Sequence, residues 1–327
     1  MPNSLDDRAP APVRRRPADV PSRADRLFDR LARCSGLIVL LLLVLIAVYL
    51  FVQALPAFRY AGWSFFTTVE FRTSTLPPVL GVLGLITGTV VVGVVAVTFA
   101  IPISILTALF ITDYAGSRLR SLMIGLVDLL AAVPSLLYGL WGFSYLSDKI
   151  PPVSRFLSDT LSFLPFARVD KGAQLLSSYF IAGLVVSLMT LPIITSVTRE
   201  VFAQAPPGEK EAALALGATR WGMVRQVVLP FGRGGIIGGS MLGLGRALGE
   251  TIAVSLLLPQ LPIPGVHLFQ YGGATTAGYI ATNNGASGLG LSGLLAAGFV
   301  LFLFTLATNF TAAVVIARSR SGVGVDA

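Results

Sequence analysis

Apolar residues in this chain run in long stretches rather than alternating. Six such stretches, at roughly 36–55, 79–112, 121–147, 178–198, 234–258 and 289–317, are separated by shorter polar segments. A helix needs ~18–20 apolar residues to cross a bilayer, so the pattern predicts six membrane-spanning helices. The second stretch holds 34 residues without a charge. Such a helix must tilt, kink at Pro102 or extend past the membrane. Ahead of the first stretch, residues 23–33 set Leu27, Phe28 and Leu31 on one helical face among charges. That is the pattern of a short amphipathic helix lying at the cytoplasmic interface. Residues 1–22, with five prolines and the run Arg14-Arg15-Arg16, read as a disordered cytoplasmic tail. The first apolar run starts about 35 residues in and is too long for the core of a signal peptide.

The connections are short. Trp63, Phe65 and Phe66, just past the first stretch, read as interfacial anchors. Residues 151–172 are expected to form a small external helical segment. The segment Leu258 to Gly285 is rich in Gly, Pro, Thr and Asn and carries no charge. It is expected to line an outer mouth or to dip back into the membrane, which requires protein or water to satisfy its backbone. His267, the one histidine, reads as an ordinary loop residue.

Composition agrees with this picture and narrows it. The hydrophobic fraction is 54%, charged residues make up 12%, and the mean hydropathy is +0.79, so the fold class is an all-α polytopic membrane protein. A single cysteine, Cys34, excludes an intrachain disulfide and a cysteine metal cluster, and reads as a packing residue. The net charge of +8 could suggest nucleic acid, but topology explains it better. Seventeen of the 24 Lys and Arg fall in the tail, loops 113–120 and 199–233, and the segment after 317, against six in the alternate set of loops. That asymmetry places both termini in the cytoplasm. Glycines 81, 84, 88 and 93, and 235, 238, 239, 243 and 245, predict close helix packing.

Two stretches carry candidate chemistry. In the first, Pro206-Pro207-Gly208 stops one helix, and Glu209, Lys210 and Glu211 open another with acids at its positive end. Gly217 is placed to end that helix in a left-handed conformation, and a second helical piece, Thr219 to Val228, leads to Pro230. The result is an exposed elbow, residues 206–230, with Ala213, Leu214 and Leu216 partly available. By itself it fits either a docking surface or an ordinary connector packed on its own protein. In the second stretch, Arg246 stands at the midpoint of the 234–258 run, with Glu250 four residues on and on the same helical face. A charge at mid-membrane costs ~2.5–3.5 kcal/mol on insertion scales, so such residues face a partner or a wet path. The pair either braces the bundle or lines the route of an anion, and the residues alone leave both readings open.

Glu211-Ala212-Ala213, Gly217, Val227 and Leu229-Pro230, in their spacing, resemble the EAA loop of ABC-importer permeases. Val227 stands where isoleucine is usual, a mild departure. The resemblance implies that Glu211, Ala212, Ala213, Gly217, Leu229 and Pro230 couple to a cytoplasmic ATPase subunit. The chain has no G-x-x-x-x-G-K-[ST] phosphate loop, so ATP hydrolysis is expected in that partner; this chain is not an enzyme by itself and needs no cofactor. GLGRALGETIAV (Gly243 to Val254), VPSLLYGLWG (Val133 to Gly142) and GTVVVG (Gly88 to Gly93) resemble segments of phosphate ABC-transporter permeases. The ending E-T-x-A-V is closer to the PstC-type than to the PstA-type subunit. The likeness covers residues 24–318, with the permease domain at 36–318.

The resemblance implies a type I, MetI-like bundle in the inner membrane of a bacterium. It further implies a PstA-type second permease, ATPase subunits, an extracytoplasmic phosphate-binding protein, and a phosphate path that includes Arg246, Glu250 and Thr251. Tyr138 and Ser135 are candidate polar wall residues, while Asp128 reads as an interface or capping residue. A permease for sulfate, molybdate or phosphonate is the main alternative, and a stand-alone carrier or channel the next.

Overall fold

The computed structural model describes residues 23–73, 75–170, 172–262, 265 and 267–319. The expected tail at 1–22 and the C-terminal residues from 320 lie outside them. Helix α1, Arg23–Ala61, is one continuous helix of 39 residues, so the expected interfacial segment 23–33 and the first span are joined. Nothing between them forces a break. Gly36 costs only ~1 kcal/mol in a helix interior, and Asp29 and Arg33 pair along one face at 2.8 Å. The part of α1 up to Tyr49 forms a compact unit of its own. Its apolar side chains from Leu37 to Val44 are all exposed, a surface that hydrocarbon solvates.

The second unit begins at Leu50. Its long helices are α2 (Leu83–Tyr114), α6 (Tyr179–Ala203), α8 (Arg220–Leu248) and α11 (Gly288–Ser319). Helices α3 (Ser117–Ala132) and α4 (Ser135–Lys149) form a pair bent by 89°. With α1, five helices among the described residues are long and apolar enough to cross a membrane, or six if the bent pair is one span. The expected third span is therefore broken. Pro134 is the cause: it pushes Val133 out of the helical region, to φ −66° and ψ 127°.

The core lies where α2 meets α6, with Val92 and Ala96 against Ile181, Ala182, Val185 and Val186. Helix α8 joins it through a seam of glycines. A Cβ on Gly235 would lie 2.5 Å from Val201 Cγ2, and one on Gly243 would lie 2.7 Å from Ile194 Cδ1. Only bare backbone lets α8 approach α6 this closely, and such contact replaces the hydrophobic drive that lipid removes.

The fifth span departs from expectation. Instead of an unbroken helix over 234–258, α8 ends at Leu248, and α9 (Ile252–Leu257) resumes after Gly249-Glu250-Thr251. After the first span, Trp63 and Phe66 are exposed, but Phe65 is fully buried, edge-on to Phe58 and Phe71. Phe65 is thus a core residue rather than an anchor. A short helix, α5 (Pro151–Thr160), stands in the expected external segment.

The uncharged segment after α9 folds back onto the bundle. It makes an isolated antiparallel bridge between Leu261 and Gly273 and then forms α10 (Thr276–Thr282). Helical side chains satisfy its backbone. Thr276 N–H donates to Thr89 Oγ1 at 3.0 Å and Ala274 N–H to Tyr179 Oη at 3.2 Å; in return, Tyr279 Oη of the segment donates to Phe71 O at 2.7 Å. This is the condition under which irregular backbone is tolerated at membrane depth.

Candidate functional site

The elbow is built as its residues dictate. Pro206 and Pro207 start α7 (Pro207–Ala215), with Glu209 in the first turn. Gly217 follows at φ +87°, a conformation that glycine adopts without strain, and its N–H bonds to Leu214 O at 3.0 Å. Thr219 Oγ1 then accepts from Gly222 N–H at 3.0 Å and opens α8. Pro230 does not end this second piece. The helix runs through it by way of a wide turn, Val224–Val228, in which Leu229 N–H bonds five residues back to Val224 O. That turn loosens the ladder just where proline has no N–H to give.

The motif residues therefore divide between two settings. Glu211 and Ala212 are exposed on α7, while Ala213 and Leu229 pack on a core of Ala108, Leu109, Phe202 and Val228. Leu214, Leu216 (90% exposed) and Trp221 present an apolar face outward. One contact escaped the sequence reading: Lys210 of α7 forms an ion pair with Asp113 in the last turn of α2, Nζ to Oδ1 at 2.8 Å.

The second site is the break between α8 and α9. Arg246 lies in the last turn of α8 and is exposed, and Glu250 is half-buried. They do not share one helix face, and among the described residues no ion pair joins them. Each has a different helical reason for its place. Arg246 stands at the negative end of α8, whereas Glu250 Oε1 accepts from Ala253 N–H at 3.3 Å at the positive end of α9. Thr251 Oγ1 donates to Gly249 O at 3.1 Å within the break.

Beyond the second break, at Pro134, α4 packs on α9. Gly139 of α4 sits so close to α9 that a Cβ there would lie 2.7 Å from Ala253 Cα. Tyr138 Oη donates to Leu130 O at 2.9 Å, tying α4 back to α3. From α2, Gly93 faces Leu248, where a Cβ would lie 3.0 Å from Leu248 Cδ2. Segments 88–93 and 133–142 thus each pack on 243–254, through Gly93 and Gly139, while Gly88 lies against Ala274 and Tyr179. Ser135 is half-buried at the start of α4, and Asp128 stands exposed on α3, capping neither end. Asn309 of α11 was missed: a Cβ on Gly245 would lie 3.2 Å from its Oδ1. An amide inside the last apolar stretch was the available signal.

A bundle of long apolar helices, two of its spans broken and packed together through Gly139 and Ala253, with an exposed elbow, is the construction of a membrane transport permease. The sequence pattern of the binding-protein-dependent transport system inner membrane components matches residues 100–321. This chain belongs to that family. It is 41% identical over 304 residues to the phosphate transport system permease protein PstC 2 of Mycobacterium tuberculosis, covering 92% of this chain and 94% of that one. It is 36% identical over 310 residues to PstC of Xylella fastidiosa, covering 91% and 92%. Among solved structures, a bacterial ABC transporter involved in import of the acidic polysaccharide alginate matches with a TM-score of 0.56 at 20% identity. That match covers 90% of this chain and 99% of the other, and it supports the fold alone.

Proposed function

We propose that this chain is the PstC-type permease subunit of an ATP-driven importer of inorganic phosphate. The observation that carries the reading is the packing of Gly93 on Leu248 and of Gly139 on Ala253, which brings α2 and α4 against the interrupted fifth span. Broken helices at membrane depth present unpaired backbone groups and helix ends, the usual construction of a site for a charged solute in a transporter. Arg246 supplies a planar fork of donors suited to phosphate oxygens. Glu250 and Thr251 hold the break open beside it.

Arg246 and Asp128 are exposed in the single chain, and lipid contact would cost ~2.5–3.5 kcal/mol for such a residue. That cost supports a PstA-type second permease and a water-filled path covering this face. The elbow, through Glu211, Ala212, Ala213 and Gly217, docks a cytoplasmic ATPase, with Leu229 and Pro230 fixing its root in α8. Phosphate arrives from an extracytoplasmic binding protein. The chain lies in the inner membrane of a bacterium with both termini in the cytoplasm.

The test is uptake into proteoliposomes holding this chain, the second permease, the ATPases and the binding protein. Labelled phosphate should accumulate only with ATP, and excess sulfate or molybdate should not compete. Stimulation of ATP hydrolysis by sulfate instead of phosphate would overturn the substrate. Uptake by the purified chain without any ATPase would overturn the ABC mechanism.

A further inference from the structure

The elbow carries a fastening that docking alone does not require. Lys210, at the start of α7, reaches Asp113 at a sequence separation of 97. The Asp113 side chain is 6% exposed and that of Lys210 is 19% exposed, so both charges are largely removed from water. The other Asp113 oxygen accepts from Thr112 Oγ1 at 2.7 Å. Arg120 closes the same helix end, donating to Ile111 O at 2.9 Å and Thr112 O at 2.7 Å. Ala213 of α7 packs against a buried cluster that holds Ala108 and Leu109 of α2 together with Phe202, Met223, Val224 and Val228. An exposed ion pair contributes little, but a desolvated one leaves an uncompensated charge if either partner is lost. The elbow is therefore fastened to α2 directly through this pair, and both elements border one apolar cluster.

Helix α2 leads from there to the break. Its Gly93 faces Leu248, two residues beyond Arg246. We propose that Asp113 and Lys210 are positioning residues that make the elbow and α2 one mechanical body. A push on α7 then travels along α2 to the α8–α9 break instead of being absorbed at Pro206 and Gly217. The proposal rests on the reading that an ATPase docks on the elbow. Rigid transmission of this kind is how a small displacement at one site reaches a distant one.

The complete transporter in proteoliposomes provides the test, with phosphate taken up per ATP hydrolysed as the readout. Lys210→Met and Asp113→Asn should each lower that ratio about tenfold, within the usual span of coupling between linked sites. Both variants should co-purify with the ATPase as the unaltered chain does. Lys210→Arg keeps the pair and should keep the ratio. Asp113→Asn with Lys210→Met should be no worse than the poorer single variant, because both act through one contact.

A purely structural role would reduce the yield of assembled complex and leave uptake per ATP unchanged, and that result overturns the proposal. Losses that multiply in the double variant overturn it too. So does loss of ATPase co-purification in the single variants, which would put the pair in the docking surface itself. Failure of the docking reading would show separately, as an unaltered chain that retains no ATPase, and it would take this proposal with it.

Discussion

At the scale of single residues, Arg246 and Glu250 show how a helix break changes the meaning of a charged pair. On one continuous helix, positions four apart neutralise each other, and removing both should rescue what removing one destroys. Across the break they serve different helix ends, and each should act alone. Arg246 is exposed and makes no ion pair among the described residues, so Arg246→Ala should change stability by less than ~0.5 kcal/mol while abolishing phosphate uptake. Arg246→Lys, which keeps the charge and loses the fork, should fall between. Glu250→Ala removes the acceptor for Ala253 N–H and should cost ~1 kcal/mol, as loss of a helix cap does. Thermal unfolding of the purified variants checks the costs, and the two should add in the double variant. A double variant more stable than Glu250→Ala alone would restore the brace and sink the separate roles.

At the scale of elements, the elbow depends on one backbone conformation. Gly217→Val places a branched side chain at φ +87°, which L residues avoid, so the turn between α7 and α8 should rearrange. No neighbouring atom lies within 4 Å of a Cβ there, so the strain is conformational and the bundle should insert normally. The measurable loss is ATPase co-purification, and normal co-purification would count against the elbow as the docking element. Glu211→Lys should lose the same partner by reversing an exposed charge on α7.

Much of this was legible in the chain itself. The long apolar runs gave the helices, and Gly217 announced its left-handed turn because few other residues tolerate one. The breaks were not legible. Gly249-Glu250-Thr251 interrupts an apolar run too briefly to lower its average hydropathy, and Pro134 sits inside another run. Pro230 misled in the opposite direction, since the wide turn that lets a helix pass a proline has no residue signature. The Asp113–Lys210 contact joins residues 97 apart, a separation that no local periodicity encodes. Chemistry set by residue type was readable, and chemistry set by tertiary approach was not.

At the scale of the whole molecule, orientation decides which features face which solvent. On the six-span reading, the tails and alternating loops divide their Lys and Arg seventeen to six, a bias that predicts the basic side is retained in the cytoplasm. By that reading the elbow and Asp113 fall on the basic side, and α5 and the fold-back segment 258–285 on the other. Single-cysteine variants test this directly. Cys34 is exposed, so it must first be replaced by serine. Phe163, 71% exposed just past α5, and Glu211, exposed on α7, then each receive a cysteine in separate chains. A membrane-impermeant thiol reagent added to intact cells with a permeabilised outer layer should label Phe163→Cys and spare Glu211→Cys. After the membrane is opened with detergent, both should react, which shows that the spared thiol was shielded by the bilayer and not by folding. Labelling of Glu211→Cys from outside would reverse the bundle. The elbow would then face a compartment without ATP, and both the docking reading and the Asp113–Lys210 linkage would fall with it.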